Sequence, residues 1–304
     1  QAGGTVGAGA MLTHAPPPLG APFGSADYVE GRPVMAIDVG GAMPAPEPMV
    51  FIDGIQRYAV EGRIGLVPIV RGYVAAAALR RERGELRVID SGTQEFIVAP
   101  LRRLTADQQR ALERSGLPLL DCMGAERSHP ILDVQLAAKV VEHQRERIEL
   151  DVTRRTVVAD PETWLVVDGS LAGIDDLSGD GATRVLGLVK SHETQFLDGP
   201  DLEVALTLPA GHRTSVFART TGQRVTVYTW YLRLWPWEDH ELLHGLVRIE
   251  RPPSPRGVDE ATSVSRWLLS ERAPLSAPDS RWDRLVYPIQ QVETYLRALA
   301  GGWW

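Results

Sequence analysis

The sequence predicts an α/β fold in which a mixed sheet is flanked by helices. Three observations carry that prediction. Two short apolar runs, Pro48-Met49-Val50-Phe51-Ile52 and Trp164-Leu165-Val166-Val167, each end in Asp-Gly, as a buried strand running into a sharp turn does. Residues 131–155 hold the longest helical pattern, with Ile131, Leu132, Leu136, Val140, Val141 and Ile148 mostly three or four apart and Arg and Glu between them. Residues 224–234 place Val225, Val227, Thr229 and Tyr231 at the two-residue period of a strand. Strands interleaved with helices in this way build layers of sheet and helix.

The elements follow in order. Residues 1–26 are rich in Gly, Ala and Pro and read as a flexible leader. Met11 reads as the natural start, and the GxG in this leader follows no strand, so it carries no nucleotide-binding reading. Residues 27–304 read as one domain with an inserted segment at about 85–130. Gly65 to Val70 is a second apolar run, and the Ala-rich stretch from Arg71 to Arg81 fits a helix or a strand. Arg87 to Ile89 and Glu95 to Ala99 read as strands, and Thr105 as the N-cap of a helix. Pro161 and Glu162 end the long helix. Strands are then expected at Val185 to Val189, Val204 to Leu208, Thr214 to Ala218, Arg224 to Leu234 and Gly245 to Glu250. Helices are expected at Ser263 to Leu269 and Pro288 to Ala300. There is no internal repeat.

The 304 residues, 44% apolar and 23% charged, suffice for a large core. A formal net charge of −7 excludes a protein coated in nucleic acid, while leaving room for a narrow basic channel on an acidic body. Lys139 and Lys190 are the only lysines among 32 basic residues, and a compact ammonium is not interchangeable with a planar guanidinium. The single cysteine, Cys122, excludes a disulfide framework and a cysteine zinc cluster, and suits a reducing cytoplasm. No apolar run approaches the roughly 18 residues of a membrane span, and no basic-then-apolar secretory leader opens the chain.

The chemistry-bearing feature is the repeated strand end, Asp53-Gly54 and Asp168-Gly169. Ligand sites in open α/β sheets gather at the carboxyl ends of strands. Two carboxylates brought close there favour a shared proton or a divalent cation. All-oxygen ligands select Mg²⁺ or Mn²⁺, ions that hold phosphates and activate water for phosphodiester hydrolysis. An ordinary turn explains either instance taken alone.

In order along the chain stand Asp53-Gly54 with Arg57, Asp168-Gly169-Ser170-Leu171, Gly187-Leu188-Val189-Lys190-Ser191, Tyr231-Leu232-Arg233-Leu234 and Tyr287-Pro288. Together they resemble the NurA nuclease family over roughly residues 48–300. The resemblance implies an RNase H-like fold, a Mn²⁺- or Mg²⁺-dependent deoxyribonuclease, and a homodimer working on DNA with a hexameric HerA-type ATPase, in DNA end processing and repair or in antiviral defence against phage. It implies metal ligation by Asp53 and Asp168 and by a glutamate on the helix between them. Glu149 is the choice for that glutamate, with Glu146 and Glu142 three and seven positions earlier on roughly the same face. It further implies roles for Lys190, which would stabilise the reacting phosphate, and for Tyr287. The sequence departs from the family at two places. The first motif reads Asp-Gly-Ile rather than Asp-Gly-Ser, and Tyr295 stands where the family carries a histidine; Glu293 could supply a carboxylate instead. A catalytically weakened subunit that acts as a scaffold for a HerA-type ATPase is the alternative that these departures leave.

A rival motif is His240-Glu241-Leu242-Leu243-His244. On a helix the two histidines would share a face and bind Zn²⁺, with Glu241 as the base of a metallopeptidase. Pro236 and Gly245 leave room for only about two turns, and the alternative is an amphipathic turn with Leu242 and Leu243 packed inward. Asp175 to Gly181 faintly resembles a calcium loop, but Gly187 stands where the closing glutamate would be, so it reads as a solvated turn. Arg57, Arg71, Arg219 and Arg233 are candidate DNA contacts through phosphate. Trp230, Tyr231, Trp235 and Trp237 form an aromatic cluster that suits core packing better than base stacking. The final Trp303-Trp304 pair is expected to dock onto a subunit or partner.

Overall fold

The computed structural model describes residues 23–124, 129–171, 184–192, 194–221, 224–273 and 282–303. In chain order the strands and helices are β1 (Ala26–Tyr28), β2 (Ala36–Asp38), β3 (Met49–Ile64), β4 (Val67–Glu82), β5 (Glu85–Ala99), α1 (Ala106–Glu113), β6 (Leu119–Asp121) and α2 (Pro130–Ala159). There follow β7 (Trp164–Asp168), β8 (Val185–Val189), α3 (Gly199–Leu206), β9 (His212–Thr214), β10 (Phe217–Thr221), β11 (Arg224–Arg233), β12 (Leu246–Arg251), α4 (Ala261–Glu271) and α5 (Tyr287–Leu299). The class is α/β, with mixed pairing and flanking helices. Most of the leader, the Asp175 to Gly181 segment and Trp304 lie outside the described residues.

The chain divides into two compact units. The first takes residues 1–51, 81–85 and 157–290; the second takes 52–80, 86–156 and 291–304. Strand β3 therefore begins in the first unit and continues in the second, and α5 does the same.

In the first unit the strand order is β1-β10-β11-β12-β8-β7, with β9 on β11 and β2 on β9. Strands β7 and β8 are parallel, with Asp168 opposite Leu188, and β8 pairs antiparallel with β12. All five residues of β8 are buried, as expected of a continuous apolar run covered on both faces. Gly187 is required there. A Cβ on it would fall 2.7 Å from the Gly169 carbonyl oxygen and 2.9 Å from Leu171 Cγ, so its absence lets the turn after β7 lie directly on β8. Val34, Phe196, Leu208, Phe217, Tyr231 and Leu246 form one core cluster. Trp230 is fully buried, and its indole N–H donates to Ser265 Oγ on α4 at 2.9 Å. The aromatic cluster thus supplies core at Trp230 and Tyr231.

The segment from Val204 to Leu208 ends helix α3 rather than forming a strand. Five residues are too few to show a period, and the start signal lies earlier, at Asp198-Gly199-Pro200. Ala205 and Leu208 then fall three apart and both are buried.

His192 is half-buried in this unit. One ring nitrogen, Nε2, bonds the Leu246 carbonyl at 3.0 Å, and the ring lies beside Tyr231. Burial pushes its pKa down to about 4 from 6.5, helped by Arg284, Arg248 and Arg233 and opposed by the Leu246 carbonyl. Between pH 6.5 and 4 the unfolded chain binds a proton that the folded chain refuses. The imidazole therefore removes about 3 kcal/mol of stability over that window and nothing further below or above it. Urea unfolding of wild type and His192→Gln is expected to show this as a difference between the two proteins that changes with pH only there. A difference that stays constant with pH would contradict it.

The second unit orders its strands β3-β4-β5-β6, with β6 parallel to β5. Two-residue turns join the first three. Gly65 holds a φ of +61° at the first turn, and Arg83 and Gly84 hold +53° and +76° at the second, the positive values that tight hairpin turns require. The stretch from Arg71 to Arg81 is strand, with Ala75 to Ala78 wholly buried in β4; pairing on both sides overrides the helical preference of alanine. The two short strands expected near 87–89 and 95–99 are parts of the single strand β5. Helix α1 starts as expected at Thr105. Its Oγ accepts the Gln108 N–H at 3.3 Å while Gln108 Oε1 accepts the Thr105 N–H at 2.9 Å, a capping box.

Helix α2 spans 30 residues and lies on this sheet through Ala137 and Val141, which pack with Val70, Val74, Phe96, Val98 and Cys122. Among the described residues no helix is long and apolar enough to cross a membrane.

Candidate active site

In the second unit, Asp53 and Glu149 are both buried, at 7% and 8% exposure. Asp53 lies on β3 and its Oδ1 accepts the Gly54 N–H at 2.7 Å. Glu149 comes from α2 and rests on Gly54. A Cβ at that position would stand 2.6 Å from Glu149 Cγ and 2.7 Å from its carboxyl carbon. Asp53-Gly54 is not the strand end expected from the sequence, since β3 runs on to Ile64; the glycine is the hollow that admits the glutamate rather than a turn former. Glu142 and Glu146 are exposed, so only Glu149 of the three presents its carboxylate to β3. Arg145, one helical turn before it, pairs with Glu149 at 2.5 Å. Burial lowers the pKa of this guanidinium, but Glu149, Glu146 and Asp53 outweigh it and leave it raised. Asp53 and Glu149 thus share the field of one buried cation. Sequence reasoning missed Arg145, although its four-residue spacing from Glu149 was the available signal.

In the first unit, Asp168 closes β7 and its Oδ1 pairs with Lys190 Nζ at 2.8 Å. Lys190 stands just past β8, the parallel neighbour, so the two strand ends place acid and base together. Its own carbonyl accepts from Arg284 at 3.2 Å. The turn after Asp168 is fixed by a residue the sequence did not single out. Glu250 of β12 is fully buried, and its Oε2 accepts the Leu171 N–H at 2.7 Å and the Ser170 hydroxyl at 2.8 Å. Its other oxygen takes Arg219 at 2.8 Å and a short contact from Arg248. Burial pushes this carboxyl up, but Arg248, Arg219 and the Ser170 hydroxyl hold it below the usual range. Both guanidinium groups also lie over the Phe196 ring.

The remaining predicted residues divide by environment. Tyr287 opens α5 and is exposed. Glu293, further along α5, pairs with Arg297. Arg57 feels both: burial and Arg297 lower its pKa, and Glu293 opposes them. Arg71 pairs with Glu61 at 3.0 Å and Glu95 at 2.5 Å and lies over the Trp303 ring. That indole also stacks on Tyr73 at 5.8 Å, so Trp303 packs on its own chain. Arg219 is tied to Glu250 and Ser170. Arg233 is fully buried and donates to the carbonyls of Leu206, Leu208, Leu242 and His244. Burial lowers its pKa to about 10, with Glu238 and Asp283 opposing. It clamps two backbone segments, 206–208 and 242–244, through four carbonyls and shows no face to solvent. No sequence signal marks this, because arginine is rarely interior.

Residues 240–244 form turns, not a helix. The imidazoles of His240 and His244 stack face to face at 4.0 Å, and His244 Nδ1 lies 3.6 Å from Asp283. The helical face that HExxH chemistry needs is absent. Leu242 and Leu243 are 44% and 39% exposed, so the inward packing expected of them does not occur either; the Arg233 clamp on the Leu242 and His244 carbonyls holds this turn instead.

Among the described residues no three His, Cys, Asp or Glu side chains stand close enough to hold an ion. The donor chemistry of Asp53 and Glu149, hard carboxylate oxygens beside a glycine hollow, suits Mg²⁺ or Mn²⁺ and offers two ligands within one unit.

No protein-family profile matches the chain, and no curated protein matches it. Solved structures similar to it include the following two. The NurA nuclease from Sulfolobus solfataricus is 11% identical, over 84% of this chain and 81% of that one, with a TM-score of 0.45. The catalytic domain of human Endonuclease V is also 11% identical, over 87% and 89%, with a TM-score of 0.33. At those values the likeness carries no functional argument, and the site rests on its own residues.

Proposed function

We propose that this chain is a divalent-metal-dependent nuclease acting on DNA. The observation that carries the reading is the buried pair Asp53 and Glu149, the second seated in the hollow that Gly54 leaves. The motif order along the chain supports it. Asp53 and Glu149 would hold the ion, with Asp168 as a further ligand carried over from the motif order and Glu293 as the carboxylate for a second ion. When bound, Mn²⁺ or Mg²⁺ supplies charge neutralisation at phosphate and an acidified water. The chain's own part is to place a cation beside each carboxylate, Arg145 at Glu149 and Lys190 at Asp168. Lys190 would also stabilise charge on the reacting phosphate. Tyr287, exposed at the head of α5, would meet substrate, and Arg57 and Arg219 would contact phosphates. The same reading includes a homodimer, a hexameric HerA-type ATPase as partner, a cytoplasmic setting, and a task in DNA end processing or defence against phage.

A second reading has its own observation. Glu149 and Asp168 each already carry a matched cation, Arg145 and Lys190, and Tyr295 replaces the family's histidine. A weakened subunit would bind DNA and the ATPase without cutting.

The test is cleavage of single- and double-stranded DNA with Mn²⁺ or Mg²⁺ against an EDTA control. Wild type is expected to cut, and Asp53→Asn and Asp168→Asn to lose activity by about a thousandfold or more. Cleavage that persists in EDTA would overturn the metal dependence, and cleavage that persists in Asp53→Asn would remove the role given to that carboxylate. DNA binding with no cleavage by wild type would select the scaffold reading.

A further inference from the structure

A second concavity lies within the first unit, at the opposite end of β7 from Asp168. Trp164, Arg184, Arg251, Ser254, Pro255, Arg256 and Glu260 line a cavity of about 320 Å³, within the range of small-ligand sites. Three guanidinium groups line it with one carboxylate, Glu260, which pairs with Arg251, while Glu162 pairs with Arg184, so one positive charge is left over on a chain whose net charge is −7. The basic character is therefore local.

The lining is rigid. Arg251, at the end of β12, is 1% exposed. Its Nη1 pairs with Glu260 at 2.8 Å and its Nη2 donates to Ser254 Oγ at 3.1 Å. Its guanidinium stands 5.7 Å from the Trp164 ring, and Trp267 braces that indole edge-on at 5.1 Å. The loop is closed by backbone bonds, Gly257 N–H to the Ser254 carbonyl at 2.9 Å and Glu260 N–H to the Arg256 carbonyl at 3.0 Å. Gly257 must be glycine: a Cβ would fall 2.5 Å from the Tyr228 ring. Arg184 is steadied by Glu162 at 2.9 Å. Arg256 is exposed, and no ion pair is seen for it among the described residues.

We propose that this cavity binds a phosphate-bearing nucleotide of mononucleotide size. Arg184, Arg256 and the Ser254 hydroxyl take the phosphate, for which planar forked donors are suited. Arg251, paired to Glu260, holds Ser254 in place beneath it, and the edge of Trp164 receives the nucleoside. The cavity is separate from the carboxylates, and the proposal does not depend on the nuclease reading.

The experiment is isothermal titration of the full chain in EDTA, so that no hydrolysis interferes. The probes are a deoxynucleoside monophosphate, the matching deoxynucleoside, inorganic phosphate, and an oligonucleotide with and without a 5′-phosphate. The monophosphate is expected to saturate one site, and the deoxynucleoside to bind at least about tenfold more weakly. Arg184→Ala and Arg256→Ala, both at the rim, are each expected to weaken binding by about tenfold. Preference for the 5′-phosphorylated strand over its unphosphorylated twin would identify a strand end as the source, and preference for the free monophosphate a diffusible nucleotide; both support the proposal. No saturable binding at millimolar monophosphate, equal binding of monophosphate and deoxynucleoside, equal binding of monophosphate and inorganic phosphate, or full affinity in the Arg184→Ala, Arg256→Ala double variant would overturn it. Because Asp53→Asn leaves this cavity untouched, its titration separates a failed pocket from a failed nuclease assignment.

Discussion

Gly54→Ala is expected to reduce metal-dependent DNA cleavage by about a hundredfold, because a displacement of about 1 Å at a reacting group suffices for that loss. The added methyl would occupy the space now held by the Glu149 carboxyl group, whose Cγ lies 2.6 Å from the new atom. Glu149 cannot simply swing away, since it is buried and paired to Arg145, so the helix or the strand must give. That overpacking also costs about 1–3 kcal/mol of stability. Gly62→Ala is the control on the same strand, where nothing lies within 4 Å of the added atom; it should leave cleavage unchanged and shift stability by no more than about 0.5 kcal/mol. Steady-state cleavage and urea midpoints check both. Equal activity in Gly54→Ala and wild type would mean that the position of Glu149 does not matter to the reaction.

Glu250→Ala carries the largest expected loss of stability, about 3–5 kcal/mol, because it strands buried positive charge. Arg248 and Arg219 would lose their shared carboxylate, and the Leu171 N–H and Ser170 hydroxyl would lose their acceptor. Glu250→Gln keeps an acceptor oxygen of the same shape and loses only the charge, so it should fall between alanine and wild type. Since the released turn begins at Asp168, cleavage should fall in Glu250→Gln even at temperatures where the variant remains folded. A denaturation midpoint for Glu250→Ala that matches wild type would show that the cluster contributes nothing net.

The parts of this molecule written in local pattern are readable from sequence. The long helix, the capping box at Thr105, and the apolar runs of β7 and β8 all announce themselves through period or through a neighbour within four residues. Of the two Asp-Gly steps only Asp168-Gly169 ends a strand; Asp53-Gly54, read as a strand end, lies inside β3, which continues to Ile64. What the sequence does not announce is set by partners distant along the chain. Glu250 sits in Arg248-Ile249-Glu250, which reads as a strand with two ordinary surface charges; only the pairing with β8 and the turn at Ser170 make it interior. Arg233 stands in an alternating strand where a solvated arginine is the default. The choice of Glu149 over Glu146 and Glu142 turns on which residue meets a glycine nearly a hundred positions earlier. The Ala-rich β4 and the end of α3 mislead for the complementary reason, since local preference there is overruled by packing or begins outside the window inspected. Two histidines four apart imply a shared helical face only where a helix exists, and none forms at 240–244.

The strands β3 and β4 run far beyond the residues that matter chemically. Met49 to Asp53 is buried, whereas Tyr58 to Arg63 on the same strand lies in solvent, beyond which Gly65-Leu66 turns the chain back. The strand facing it across that turn is not exposed: β4 is buried from Val67 to Val70 and from Gly72 to Leu79. A one-residue slip between the two would turn every following side chain to the wrong face and take Val67, Ile69, Val70 and Val74 out of the core.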